Sequence, residues 1–139
     1  MSKQNVEIVL GVFDAFRRRD TDAMFAAYHP EVEWSLENYS PWTDATIYRG
    51  HEGIRIFFRM WLEDFEDYET EARDPLDLEG KVVITVYDRA RGKGSGVPIE
   101  RYHAQVWTLR NGQAVRVEVF DDRRCALEAI GLSEQRAHE

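Results

Sequence analysis

One segment limits the architecture of this chain more than any other. After Gly50 the apolar residues fall as Ile54, Phe57, Phe58, Trp61, Leu62 and Phe65, at steps of three, one, three, one and three. That spacing is one face of an α-helix, and the face is broad and largely aromatic. A stripe of that width needs a sheet to cover it, and the second half of the chain supplies one. From Tyr68 onward the apolar period falls toward two, through Tyr68 to Leu78, Lys81 to Arg91, Val97 to Arg110 and Ala114 to Asp121, with turn residues between. Helices first and strands afterwards predict an α+β domain, its sheet curved around the helices and a pocket inside.

The first helix carries Val6, Val9, Leu10, Phe13 and Phe16 on one face and ends in Arg17, Arg18 and Arg19, where the macrodipole favours positive charge. Asp20 or Thr21 caps a second, shorter helix bearing Met24, Phe25 and Tyr28, and Pro30 disfavours helical geometry at His29. Glu31 to Trp34 reads as a short strand. Gly92-Lys93-Gly94-Ser95-Gly96 lies between two strand patterns with no helix behind it, which makes it a hairpin tip rather than a phosphate loop. Asp122 caps a final helix through Ile130, with Gly131 as its left-handed stop and Leu132 folding back. At 139 residues, without repeats or a linker, the chain reads as one domain over 1–139.

Composition removes several classes of function. Eighteen basic against 26 acidic residues leave a net charge of -8, which repels a phosphate backbone, so no nucleic-acid partner is expected. No run approaches the roughly 20 apolar residues of a membrane span, and Met1 to Asn5 lead into a helical pattern without an export signal. The single cysteine, Cys125, forms no internal disulfide and reads as a small buried filler, in keeping with a reducing cytoplasm. His29, His51, His103 and His138 are scattered without metal-ligand spacing, so neither a metal nor another cofactor is expected. No Ser or Cys stands in a nucleophile elbow or dyad. His29 and His51 sit at helix ends, where a ring nitrogen serves the backbone, and His138 lies in a polar tail.

Three motifs, His29-Pro30-Glu31-Val32-Glu33-Trp34, Tyr48-Arg49-Gly50-His51-Glu52-Gly53-Ile54 and Val106-Trp107-Thr108-Leu109-Arg110-Asn111-Gly112, together with the closing Ala126 to Leu132, give the chain a resemblance to the SnoaL-like branch of the nuclear transport factor 2-like superfamily, which includes ketosteroid isomerases and polyketide cyclases. The resemblance implies a conical, strongly curved, mostly antiparallel sheet wrapped around three N-terminal helices, with a short C-terminal helix. It also implies an apolar cavity and a homodimer formed through the outer sheet face. Ketosteroid isomerases use an Asp base with a Tyr and a protonated Asp as oxyanion donors. Matched onto this chain, those positions fall on Leu36, near Val12 and near Gln105, and none is retained, which disfavours steroid isomerisation by that route.

The last hairpin can be phased by cost. A two-residue Asn111-Gly112 loop would put Arg116, Glu118 and Phe120 on the face of Gln105 and Trp107, burying two charges. An Arg110-Asn111-Gly112 loop, with Gly112 in a left-handed bulge, instead groups His103, Gln105 and Trp107 with Val115, Val117, Val119 and Asp121. This register places His103 beside Asp121, as a general base with its orienting or proton-sharing carboxylate. Val82, Ile84 and Val86 form a second inward face, and their phase brings Asp88 inside near the open end. Trp34, Phe58, Trp61, Asp88, Gln105, Trp107 and Val119 are therefore expected to line the ligand site, and the segment 37–48 to cover its mouth. On the outer face, Tyr102, Ala104, Val106 and Thr108 with Phe120 make a partly apolar surface suited to a dimer.

Two readings stay open. One is a cofactor-independent acid-base enzyme of isomerase, cyclase or hydratase type, with His103 and Asp121 catalytic and a small apolar or aromatic organic molecule as substrate. The other is a non-catalytic ligand-binding or dimeric interaction module with the same pocket.

Overall fold

The computed structural model describes residues 2–44 and 46–132. Its elements run α1 (Ser2–Arg17), α2 (Thr21–Ala26), β1 (Tyr28–Asn38), β2 (Ile47–Arg49), α3 (Gly50–Leu62), β3 (Phe65–Leu78), β4 (Lys81–Gly92), β5 (Pro98–Arg110), β6 (Gln113–Phe120) and α4 (Arg123–Ala129). The six strands form one curled, unclosed sheet in the order β2-β1-β6-β5-β4-β3. Only β1 and β6 run parallel; the other neighbours are antiparallel. The architecture is the α+β arrangement expected, with three helices ahead of most of the sheet and a short one behind it.

Helix α3 buries Ile54, Phe57 and Trp61 against the concave face, each burial favourable by roughly 1.5 to 3 kcal/mol. Its first residue, Gly50, has φ +70, and a Cβ there would lie 3.2 Å from the Pro30 carbonyl oxygen, so the helix enters too close to β1 for a side chain. Helix α1 adds Val9, Val12 and Ala15 to the same core.

Tertiary pairing overrides three local readings. Helix α2 stops at Ala26, because the Ala114 amide bonds to the Ala27 carbonyl at 2.8 Å and Tyr28 pairs with Ala114, making His29 and Pro30 part of β1. Pro30, which has no N–H to give, sits where the β1–β6 ladder shifts register. Phe65 is not the end of the α3 stripe but the first residue of β3, paired with Gly92, and β2 forms as a short strand along Glu33 to Ser35.

The last hairpin does close on the two-residue loop that charge burial seemed to forbid. Asn111 and Gly112 both have positive φ, 53 and 79, as a tight right-twisting hairpin turn requires. A bulge restores the phase: Leu109 pairs with Ala114 and Thr108 with Arg116, leaving Val115 as the extra residue. Ala114, Val117 and Val119 consequently reach the core with Gln105 and Trp107, while Arg116 and Glu118 stay on the other face.

The outer face is organised differently from the expectation. Ala104, Val106 and Phe120 are covered within the same chain by Ala126 and Leu127 of α4, with Leu76, Leu78, Ile130 and Leu132 around them and half-buried Cys125 alongside. The Asp122 side chain caps α4 by accepting from the Cys125 amide at 2.8 Å, and the Leu132 amide closes its end on Leu127. The apolar surface offered as the reason for a dimer is thus filled by the chain's own last helix, and Tyr102 is the member of that set left exposed.

Candidate functional site

Between the helices and the concave face lies a cavity of about 50 Å³, measured as the space open to the centres of water-sized spheres. At roughly 10 to 15 Å³ for each such sphere, it has room for about three to five. Trp34, Phe58, Trp61, Asp88, His103, Gln105, Trp107 and Val119 all line it. So do Val12, Leu36 and Gln105, the positions that the resemblance matched to isomerase catalytic groups. His29, in β1 rather than at a helix end, and His51, in the first turn of α3, both serve the backbone: His29 Nδ1 accepts the Glu31 amide at 3.0 Å, and His51 Nε2 lies 2.9 Å from the Tyr28 carbonyl. His138 lies outside the described residues.

Asp121 is not in this cavity. Strand β6 ends at Phe120, the chain turns to start α4, and Asp121 points outward, accepting from the amide of Ser40 at 2.8 Å and its hydroxyl at 2.7 Å. The expected His103–Asp121 pair is therefore corrected to His103–Asp88. Strands β4 and β5 pair Val86 with His103 and Asp88 with Arg101, so Asp88 is the diagonal neighbour of His103 on the inner face. His103 Nδ1 stands 3.2 Å from Asp88 Oδ2, with both side chains 5% exposed.

Alternation along β5 builds a relay. The Trp107 indole N–H donates to Gln105 Oε1 at 2.9 Å, and Gln105 Nε2 lies 3.0 Å from His103 Nε2. An indole N–H can only donate, which fixes the amide orientation and leaves the Gln105 N–H₂ to donate to His103 Nε2. The imidazole proton then sits on Nδ1, facing Asp88. A proton on Nε2 would oppose an N–H to an N–H, so Nε2 is the acceptor of the relay. The Nδ1–Oδ2 contact forms no hydrogen bond, and His103 Nδ1 and both Asp88 oxygens, like the Trp34 indole nitrogen, are buried without a hydrogen-bond partner.

Thr70, directly opposite Asp88 on β3, together with Tyr68 and Arg101 adds to the polar groups around Asp88, and none of the three was singled out from the sequence. The Tyr68 hydroxyl accepts from Trp61 Nε1 at 2.6 Å. Burial first, and the Asp88 charge second, push its phenol far above the ordinary range, so it remains a donor. Its signal was present in the alternation of Tyr68, Thr70 and Ala72 along β3, but its partner comes from the last turn of α3. The Arg101 guanidinium lies 5.9 Å from the Trp61 ring centroid and 5.8 Å from that of Phe65. A crevice of about 10 Å³, room for about one water, borders Arg101, Asp88, Trp61 and Tyr68 on the far side.

From the segment 37–48, Tyr39 and Trp42 pack against the site's walls, while none of its described residues lines the cavity itself. Tyr39, 3% exposed, packs its ring 5.9 Å from Trp61 and 5.8 Å from His103, and Trp42 lies 5.7 Å from Trp61. Burial raises the Tyr39 phenol, while Arg101 draws it back. The Ser40–Asp121 bonds tie this segment to the start of α4.

With this geometry in place, comparison with known proteins is decisive about family. The model of the SnoaL-like domain matches residues 9–117. The chain belongs to the SnoaL-like domain family. No curated protein matches the chain. Among solved structures, TerC co-crystallised with polyporic acid is 25% identical with a TM-score of 0.75, over 91% of this chain and 98% of that one. An NTF2-like protein from Burkholderia thailandensis E264 is 26% identical with a TM-score of 0.73, over 91% and 96%. A SnoaL-like polyketide cyclase, so named, from Jannaschia sp. CCS1 is 21% identical with a TM-score of 0.71, over 93% and 92%, and shows likeness of fold. Among the described residues, no helix is long and apolar enough to cross a membrane and no group of three or more His, Cys, Asp or Glu gathers as for a metal ion.

Proposed function

We propose that this SnoaL-like domain binds a small organic molecule in the aromatic cavity, and that Asp88 is the acid-base group facing it, with His103 as a positioning residue. The observation that carries this reading is a carboxylate 4% exposed, at the cavity wall, with both oxygens unpartnered. A buried carboxylate left so is unfavourable unless something else completes it. The relay supports the division of roles: His103 has its lone pair engaged by Gln105 and its proton turned toward Asp88, so it orients the acid rather than taking a proton itself. Asp121, tied to Ser40, keeps no part in the chemistry. TerC, at 25% identity, was crystallised with an organic acid, which supports the general reading that such cavities take small molecules.

In the catalytic form of the proposal, a proton passes from a C–H bond beside a carbonyl to an Asp88 oxygen, and the electron pair moves onto the carbonyl oxygen. Tyr68, its oxygen already accepting from Trp61, has a proton to offer there. The test is deuterium uptake from D₂O into a panel of small ketones and 1,3-dicarbonyl compounds, followed by NMR. Wild-type protein should catalyse exchange, and Asp88→Asn should lower it by about a hundredfold or more. Exchange unchanged in Asp88→Asn would dismiss the assignment. Ligand binding without exchange on any compound would favour the second reading, a non-catalytic binding module, which the engaged lone pair of His103 supports.

Homodimerisation in a cytoplasmic setting stays part of the proposal, confined to what α4 leaves open on the sheet: Tyr87 and Tyr102, their rings 4.9 Å apart, with Arg73 over them. Sedimentation at micromolar concentration showing only a monomer would remove it.

A further inference from the structure

Asp88 sets a charge requirement that the protein itself does not meet. Its ion-pair contact among the described residues is His103 at 3.2 Å, and that contact forms no hydrogen bond, leaving both Asp88 oxygens without a partner. Arg101 shares the inner face and stands opposite Asp88 in the register, but it makes no ion pair with it within 4.0 Å. Its guanidinium lies instead near the rings of Trp61 and Phe65, 5.9 and 5.8 Å from their centroids. A carboxylate enclosed in this way gains most from a positive partner.

The walls make the same demand. Trp61 and Tyr68 border the cavity beside Asp88, with Phe16, Phe58 and Trp34 around the remaining sides. Aromatic faces attract a desolvated cation, by about 2 kcal/mol or more where water is excluded. The same wall already attracts one cation, Arg101. Room for about three to five water-sized spheres suits a compact group, and a net charge of -8 favours the approach of a cation from solution.

We propose that the cavity is selective for a small organic cation, an alkylammonium group whose N–H meets Asp88 and whose alkyl carbons lie on the aromatic walls. The proposal rests on the reading that this cavity takes a small molecule, and it assigns that molecule's charge.

The experiment uses three probes sharing one tert-butyl head: tert-butylammonium, tert-butanol and pivalate. Their binding to the full chain at pH 7 is followed by ligand-observed NMR, with circular dichroism confirming the fold of each variant. The ammonium should bind at least tenfold more tightly than the alcohol, and pivalate least. Asp88→Asn should abolish the difference between ammonium and alcohol while leaving the alcohol's own affinity in place. Arg101→Gln, which removes a like charge, should tighten the ammonium severalfold. Equal binding of ammonium and alcohol to wild type would overturn the charge assignment but leave the cavity reading standing. An ammonium preference that survives Asp88→Asn, or pivalate as the tightest ligand, would overturn it as well. Failure of all three probes to bind would remove the cavity reading together with this proposal.

Discussion

Replacing Gln105 with methionine isolates the relay from the cavity around it. The two side chains are close in length and volume, so Gln105→Met keeps the wall filled while removing both polar contacts. What remains is a Trp107 indole N–H and a His103 Nε2, both buried and both without their partner. Each such orphan is unfavourable by about 1 to 3 kcal/mol. Two of them in one network, partly offset by the apolar burial of methionine, give a destabilisation of roughly 2 to 4 kcal/mol. For a domain of this size that corresponds to a fall in Tm of roughly 6 to 16 °C, measured by circular dichroism and checked by urea unfolding at 25 °C. The second readout is the imidazole itself. Nitrogen-15 NMR of wild-type protein should show His103 Nε2 as the acceptor nitrogen and the proton on Nδ1, and the variant should lose that preference. A loss of stability under 0.5 kcal/mol would mean that the relay carries no energy. A wild-type proton on Nε2 would refute the donor and acceptor assignment on which the roles of His103 and Asp88 depend.

Three other outcomes follow from separate parts of the structure. Leu127→Ala, at a fully buried position under which Ala104, Val106 and Phe120 pack, should destabilise by about 2 to 5 kcal/mol in urea unfolding and expose an apolar patch that promotes self-association. Asp121→Ala, which removes both bonds, should speed amide hydrogen exchange across residues 39–44 more than Ser40→Ala, which keeps the amide bond, and the double variant should add little to Asp121→Ala. The Asp122 carboxyl is held below its ordinary value by accepting the Cys125 amide at the α4 N-terminus; its cap contribution is therefore present above about pH 4 and lost as pH falls through the lowered value. The stability difference between wild type and Asp122→Ala, about 0.5 to 1 kcal/mol at pH 7, should accordingly vanish in acid.

What could be read from the chain alone was phase, and what could not was register and continuation. Alternation put Val82, Ile84, Val86 and then Asp88 on one face of β4, and His103, Gln105 and Trp107 on one face of β5; the three aliphatic residues lie in the core, and the other four side chains line the cavity. Which acid meets His103 depends on how β4 slides against β5, and the glycine-rich turn between them carries no side-chain pattern to fix that offset. Asp121 was placed inward by extending the β6 alternation one residue too far. Asp122, already legible as a helix cap, marks where the sheet ends, so a capping signal should outrank a strand period at its boundary. In the last hairpin the charge argument selected the correct faces but the wrong loop, because a bulge at Val115 changes phase inside the strand as effectively as a longer turn does. The apolar outer face of β5 was legible too; that its cover is α4 and not a second chain follows only from where the final helix lies.

The cavity itself suggests how one fold can change its chemistry without changing its walls. Val12, Leu36 and Gln105 border the same space as Asp88, so the positions matched to an isomerase's base and donors are still wall positions here, two of them now apolar. In the proposed reading the acid lies on β4 at Asp88, and the polar groups beside it come from a single strand at steps of two, His103, Gln105 and Trp107. A pleated strand delivers that spacing to one face without any loop having to be placed. Such a relay needs only the alternation that already builds the core, which is why a polar chain of three side chains can sit in an otherwise apolar wall with its inner hydrogen bonds made along the strand. It ends at His103 Nδ1 and the Asp88 carboxylate, all three atoms buried without a hydrogen-bond partner, and that unfinished end is where a ligand has most to gain.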